Sequence, residues 1–206
     1  MNTYTTLAKE GTATLVEKRS EFIGYAKPVD NEEEAAAFVA SIKKKHADAR
    51  HNVFAYVLRG GAMKRYSDDG EPQGTAGVPV LDTIRKSDVS DAVVVVTRYF
   101  GGILLGAGGL VRAYSHTARL ALDAAHIITY EQYTELELTC SYSDYQKYAV
   151  ILPTFGAIID DTDFSDRVIL RFSVKDAVVS DLFAKIQEMS GGRDEAKVLG
   201  TRFDYR

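Results

Sequence analysis

Tryptophan is absent from these 206 residues, proline occurs four times and cysteine once, at Cys140. One thiol excludes an internal disulfide and any metal site built on two cysteines, and it suits a reducing cytosol. The low proline content is that of a globular chain. Long apolar runs are missing: the longest, Ala92–Val96, falls far short of the ~20 residues a membrane span needs. The opening Met1-Asn2-Thr3-Tyr4-Thr5-Thr6 has no basic segment followed by an apolar one, so no secretory leader is expected there. An excess of positive charge is missing too. The net charge of −4 excludes a generally basic nucleic-acid coat. Together these absences predict a soluble, cytoplasmic protein without a membrane part.

The charge that is present is uneven. Residues 1–130 hold 16 Lys+Arg against 15 Asp+Glu, a net of +1, and residues 131–206 hold 9 against 14, a net of −5. Any RNA or phosphate contact is therefore expected on the first part, as a local patch.

Patterning along the chain predicts two domains, 1–130 and 131–206. Thr12–Lys18 and Glu21–Val29 read as strands. Asn31 with Glu34 three residues on is a helix-start signal. Ala35, Phe38, Val39 and Ile42 then share one helical face, which His46 continues, and Lys43-Lys44-Lys45 suit the helix's negative end. Asn52–Leu58 is a strand and Gly74–Lys86 a helix. Ala92–Thr97 does not alternate, so both its faces are expected to be covered. A Gly101–Gly109 loop leads into a long helix carrying Leu110, Tyr114, Ala118 and Leu122 on one face. After a join at Tyr130–Tyr133 the order strand (Thr134–Cys140), helix (Tyr142–Phe155), strands (Ala157–Asp161, Val168–Val174), helix (Asp176–Met189), strand (Ala196–Phe203) is βαββαβ, the ferredoxin-like pattern. Asp160–Asp166 reads as an acidic turn between its middle strands.

Tyr66–Arg112 carries the chemistry. It holds an acidic loop, a buried strand, an Arg-aromatic pair and a dense set of glycines. A strand, then glycines, then a helix N-terminus gathers backbone N–H groups around an anion. Arg98 and Arg112 could clamp a phosphate there. Alternatively the glycines only permit tight strand-to-helix packing. The run has no Gly-Lys-Ser/Thr ending and no Gly-x-Gly-x-x-Gly spacing, so it is neither a Walker loop nor a dinucleotide fingerprint. Asp68, Asp69 and Glu71 are oxygen ligands of the type that hold magnesium or calcium. An ion pair with Arg98 or Arg112 is preferred, because both sets flank helix N-termini in one window. Tyr99 and Phe100 suit stacking on unpaired bases or a place in the core. Ser115 and His116 are adjacent on a helix and diverge, so they form no nucleophile–base pair. His51, beside Arg50 and Asn52, is the better histidine candidate.

The run Gly77, Val80-Leu81, Ile84, Val89, Val95-Val96, Arg98-Tyr99-Phe100-Gly101-Gly102 and Gly106 resembles the signature of the YigZ/Impact family. Ser67-Asp68-Asp69-Gly70-Glu71-Pro72, Gly74-Thr75-Ala76-Gly77, Arg50-His51-Asn52 and Lys18-Arg19-Ser20-Glu21-Phe22-Ile23 resemble its other blocks. The likeness covers roughly residues 1–125. It implies an α+β protein with a first domain like the second domain of ribosomal protein S5. The ferredoxin-like tail is of the kind bacterial members carry, similar to a late domain of translation elongation factor G. The eukaryotic relative regulates translation by binding a protein activator of a stress kinase. The S5-like fold also occurs in small-molecule kinases, whose Ser-Ser-Ala loop ending is missing here.

The resulting expectation is a cytoplasmic protein that binds RNA, the ribosome or translation factors in a regulatory role. No cofactor, no metal, no membrane contact and no DNA specificity are expected. Its phosphate-binding loop would be Arg98, Tyr99, Phe100, Gly101, Gly102, Gly106, Gly108, Gly109 and Arg112. This loop would face Ser67, Asp68, Asp69, Glu71, Gly74, Thr75 and His51. The alternatives are an enzyme acting on a nucleotide or phosphorylated small molecule through the glycine loop, and a protein-interaction module without a small ligand. No catalytic residue is assigned.

Overall fold

The computed structural model describes residues 3–58 and 63–205, which divide between the units Tyr4–Thr129 and Tyr130–Arg206 with Met1–Thr3. Along the first run β1 (Thr3–Leu7), β2 (Gly11–Glu17), β3 (Ser20–Pro28), α1 (Glu32–Lys45), β4 (His51–Val57), β5 (Lys64–Ser67), α2 (Gly77–Lys86), β6 (Ala92–Tyr99) and α3 (Ala107–Ala124). β2-β3-β6-β4-β5 is a five-stranded sheet in which every neighbouring pair is antiparallel.

The valine run behaves as its lack of alternation predicts. Val94 and Val96 of β6 pack with Val80 and Ile84 of α2 and Tyr114 and Ala118 of α3. Val93 and Val95 point the other way, against Ala35, Val39 and Ile42 of α1. Successive side chains of a strand leave opposite faces, so a strand apolar at both parities needs helices on both sides. α1 begins where Asn31 accepts the Glu34 backbone N–H at 2.9 Å, while Glu34 accepts that of Asp30 at 3.1 Å.

α3 lies close on the β2–β3 hairpin because two glycines clear the way. A Cβ at Gly24 would sit 2.8 Å from the Thr117 carbonyl oxygen, and one at Gly11 would sit 2.3 Å from the Ala125 nitrogen. The hairpin turns through Lys18 (φ 46°) and Arg19 (φ 64°). Both hold the left-handed conformation that a two-residue turn demands and that asparagine and glycine usually supply.

The second unit contains β7 (Ile127–Cys140), α4 (Tyr142–Ile151), β8 (Ile158–Phe164), β9 (Val168–Lys175), α5 (Val179–Ser190) and β10 (Ala196–Asp204). β10 pairs with β7, β7 with β9 and β9 with β8, each antiparallel, in a five-stranded sheet whose fifth strand is β1, next to β7. One face buries Leu136, Leu138, Leu170 and Phe172 under Tyr148 of α4 and Leu182 and Ile186 of α5. The other face is an ion-pair lattice. Arg171 meets Glu137 and Asp161, both at 3.0 Å, and Arg202 meets Asp160 at 2.9 Å and Glu135 at 3.4 Å.

That lattice corrects one expectation. Asp160–Phe164 is the body of β8, not a turn; only Ser165–Arg167 turns. Arg171 and Arg202 neutralise carboxylates that would otherwise repel along a strand. The join expected at Tyr130–Tyr133 lies inside β7. β1 and β5 carry no apolar alternation strong enough to mark them. Tyr66 and Ser67 belong to β5, where they pair with Ala55 and Phe54. The long helix starts at Ala107, so Gly108 and Gly109 sit in its first turn and not in the preceding loop.

Gly24→Ala tests the close approach of α3 to the hairpin. The added methyl forces a backbone shift, with an expected loss of about 1–3 kcal/mol. Urea unfolding followed by circular dichroism measures it, and a stability equal to the parent's would mean that α3 does not rest on β3 as described.

Candidate functional site

The acidic loop after β5 brings three carboxylates into one stretch and sends them in three directions. Asp68 accepts the backbone N–H groups of Gly74 (2.9 Å), Ala76 (3.0 Å) and Gly77 (2.8 Å). It thereby fills the anion site at the N-terminus of α2, whose N-cap Ala76 has no side chain for the task. Asp69 accepts from Lys43 Nζ at 2.6 Å and from the Asn52 N–H at 2.7 Å. Its carbonyl takes the Nδ1–H of His51 at 2.9 Å, and its N–H donates to Ser67 Oγ at 3.1 Å. Thr75 closes the loop by donating its hydroxyl to the Pro72 carbonyl at 2.6 Å. Among the described residues no three His, Cys, Asp or Glu side chains converge to hold a metal ion.

Glu71 is the inward member, 8% exposed. Arg98 Nη1 donates to its Oε1 at 2.7 Å, and Tyr114 Oη donates to the same oxygen at 2.8 Å. The preferred ion pair therefore forms with Arg98 and not with Arg112. Arg98 is itself 6% exposed, and its guanidinium lies between the rings of Phe22 (5.5 Å) and Phe100 (5.4 Å). Burial, then the Glu71 carboxylate, pushes the Tyr114 hydroxyl's pKa well above its ordinary range, so it stays protonated and donates. Ser20 Oγ accepts the Gly101 N–H at 3.2 Å. Gly101 must be glycine, since a Cβ there would fall 2.0 Å from the Arg19 carbonyl.

Of the two arginines of the expected phosphate clamp, Arg98 is held in the interior on Glu71, and Arg112 stands exposed on α3. Tyr99 is also committed. Its Oη donates to Asp48 at 2.9 Å; His46 Nδ1 lies 2.9 Å from that oxygen, and His46 Nε2 lies 2.7 Å from Tyr25 Oη. Because the Tyr99 proton goes to Asp48, His46 donates from Nδ1 and accepts from Tyr25 at Nε2, which is the neutral imidazole. Burial, followed by the Lys45 charge, lowers the His46 pKa. Phe100 remains 46% exposed. Gly102 and Gly106, at φ 85° and 70°, shape the rest of the loop.

Outside this knot lies a band of cations of which sequence patterning singled out Arg112. Lys18, Arg19, Lys86 and Arg112 are exposed, and none has an acidic partner among the described residues. Lys18, Arg112 and His116 line a cavity of about 210 Å³ between the hairpin and α3. Arg112, His116, Arg119 and Lys86 line a groove of about 780 Å³ between α2 and α3. Arg112, His116 and Arg119 stand at i, i+4 and i+7 of α3, the spacing that would have marked the band. Beside it Leu104 is 82% and Ile103 40% exposed. Cys140 is buried, and that burial pushes its thiol up to about 11, so it is not an activated nucleophile.

The fold and the site define an α+β protein of two units, with an internal acid–arginine knot and a cationic surface on the first. The chain belongs to the IMPACT family. Residues 18–122 match the Impact N-terminal domain, and residues 138–193 match a domain of unknown function, DUF1949. It is 38% identical over 184 residues to the IMPACT family member YigZ of Escherichia coli, covering 87% of this chain and 90% of that protein. It is 32% identical over 198 residues to the IMPACT family member YvyE of Bacillus subtilis, covering 96% and 91%. A crystal structure described as that of a hypothetical protein superposes with a TM-score of 0.61 at 35% identity, covering 95% of this chain and 97% of that one. Among the described residues no helix is long and apolar enough to cross a membrane.

Two measurements probe the inner network. Glu71→Gln leaves Arg98 charged and buried without its counter-ion, an expected loss of about 3–5 kcal/mol in urea unfolding. Replacing both partners, as Glu71→Leu with Arg98→Met, should recover much of that loss; a double variant no better than the single one would argue against the pair. The His46 network predicts a pH dependence. The folded-state pKa lies below the ordinary 6.5, so the unfolded chain takes up the proton first. Stability is then full above the unfolded value and declines as pH falls through about 6.5 toward the folded pKa. Tm of the parent should drop between about pH 7.5 and about pH 5.5, above the carboxylate range. His46→Gln should flatten that drop, and an unchanged profile would count against the assignment.

Proposed function

We propose that this protein binds RNA through its first domain and acts in the regulation of translation, in the cytoplasm. The observation that carries the reading is the band of unpaired cations, Lys18, Arg19, Lys86 and Arg112, beside the exposed Phe100 ring. Cations without acidic partners are free to neutralise phosphates, and an exposed aromatic gives a base a surface to stack on. The N-terminus of α3 supports the same use. Its N-cap Gly106 offers no side-chain cap, so the first-turn N–H groups face outward beside Arg112, whose Nη1 lies 3.6 Å from where a Gly108 Cβ would stand. The sites move from Arg98 and Tyr99, which the fold consumes, to Lys18, Lys86 and Arg112 around the loop Phe100–Gly106.

We assign residues 1–130 to an S5 domain 2-like first domain and residues 131–206 to a ferredoxin-like second domain. The βαββαβ order and the strand order β10-β7-β9-β8 support the second assignment; the first rests on the family resemblance. With a net of −5 against +1, the second domain repels a polyanion and modulates which partner is held. The eukaryotic relatives' role in translation supports the regulatory part of the reading.

Lys18→Ala and Arg112→Ala should each weaken binding of a single-stranded RNA evenly across sequences. Each should also reduce the slope of log K against log salt by about one. Fluorescence anisotropy over a salt series measures both. Folded variants with the parent's slope, or a parent that binds no RNA at low salt, would remove this reading.

A further inference from the structure

We infer that the groove between α2 and α3 docks an amphipathic helix of another protein, apolar along one stripe and acidic along its flank. The groove encloses about 780 Å³. Its floor is Val78 and Pro79 of α2 and Val111 of α3, the last 38% exposed. Phosphate contacts use none of this floor, so the RNA reading leaves it unexplained. An apolar floor open to water between two helices is the surface into which a third helix lays its apolar face.

Charge selects the occupant. Arg112, His116 and Arg119 edge the groove from α3, and Lys86 edges it from α2. The acid on its lining is Asp82, held 3.5 Å from Arg85. At one end Arg119 Nη1 donates to Ser87 Oγ at 3.2 Å and ties α3 to α2. Arg119 also meets Asp123 at 3.0 Å, so Arg112 on α3 and Lys86 on α2 are the lining cations without an acidic partner among the described residues. A helix lying in the groove meets these two with carboxylates beside its apolar stripe. Exposed ion pairs contribute little individually. The apolar stripe therefore supplies the affinity, and the carboxylates supply the choice of partner and its direction.

The test selects from a phage-displayed library of helical peptides on the order of 16 residues, long enough to hold a helix, against the full chain. The enriched sequences are expected to carry an apolar stripe with Asp or Glu beside it. The consensus peptide, synthesised and followed by anisotropy, should lose about fivefold in affinity on Val111→Ser, which removes floor without adding charge. It should lose at least tenfold on Arg112→Glu, with Tm of each variant confirming the fold. Single-stranded RNA should bind Val111→Ser as it binds the parent. The inference is overturned if no helical peptide is enriched, if the enriched peptides lack acidic flanks, or if Val111→Ser binds the peptide unchanged. It is also overturned if Val111→Ser weakens RNA binding as deeply as Arg112→Ala does, since that assigns the groove to RNA. The RNA reading fails separately, on the salt slopes of Lys18→Ala and Arg112→Ala.

Discussion

The buried pair of Glu71 and Arg98 is the constraint around which the first unit's loops are arranged. Removing both charges from water costs several kcal/mol each unless they meet in good geometry with their remaining hydrogen-bond capacity filled. The chain meets most of that demand from four places, and only the buried Nε of Arg98 is left without a hydrogen-bond partner. The acidic loop provides Glu71, β6 provides Arg98, α3 provides the Tyr114 hydroxyl, and Phe22 and Phe100 cover the guanidinium. Glycine at 101 lets the loop after β6 run against the hairpin turn. The density of glycine and charge in this window thus answers first to packing. The carboxylates and the arginine that resemble a reactive cluster are each other's counter-ions.

That internal neutralisation sharpens the meaning of what stays outside. Asp68 occupies the amide donors of α2, and Asp69 holds Lys43 and β4. The acids of this window are spent inward. Lys18 and Arg19 at the hairpin turn, Lys86 on α2 and Arg112 on α3 have no acidic partner among the described residues. The result is a one-sided surface: a local excess of positive charge in a unit whose composition is almost balanced. The left-handed turn at Lys18 and Arg19 fits this picture, since it projects two cations where asparagine and glycine would serve the backbone better.

Strands and helices with a clear period were legible in the sequence. Val93–Val96 announced a strand covered on both faces, and Asn31 with Glu34 announced the start of α1. β1, β5 and the acidic part of β8 were not legible, because their strand character comes from neighbours. β5 pairs along β4, and β8 is made tolerable by Arg171 and Arg202 from other strands. For the site, residue types pointed to the right window and to an ion pair, but not to its direction. Arg98 and Arg112 look equivalent in one dimension. One ends a buried strand with its side chain on the face shared with Val94 and Val96, and the other lies on the outer face of a helix. Gly24 and Gly11 carried no visible signal either, since the need for them is set by a helix a hundred residues away in the chain.

Pairing, more than composition, decides where a polyanion or an acidic partner can settle. The net charges of the two parts differ by only a few units, which alone would be a weak guide. In the second unit the described arginines, Arg167, Arg171, Arg193 and Arg202, all have carboxylates within 3.6 Å. Neutralising a phosphate there means breaking an existing pair, so the gain is a difference between two similar interactions. At Lys18, Lys86 and Arg112 nothing has to be broken. The whole interaction, less desolvation, is available to a ligand. That asymmetry supports placing the binding surface on the first unit, and it leaves the groove's apolar floor as the feature that separates a helix from a nucleic acid.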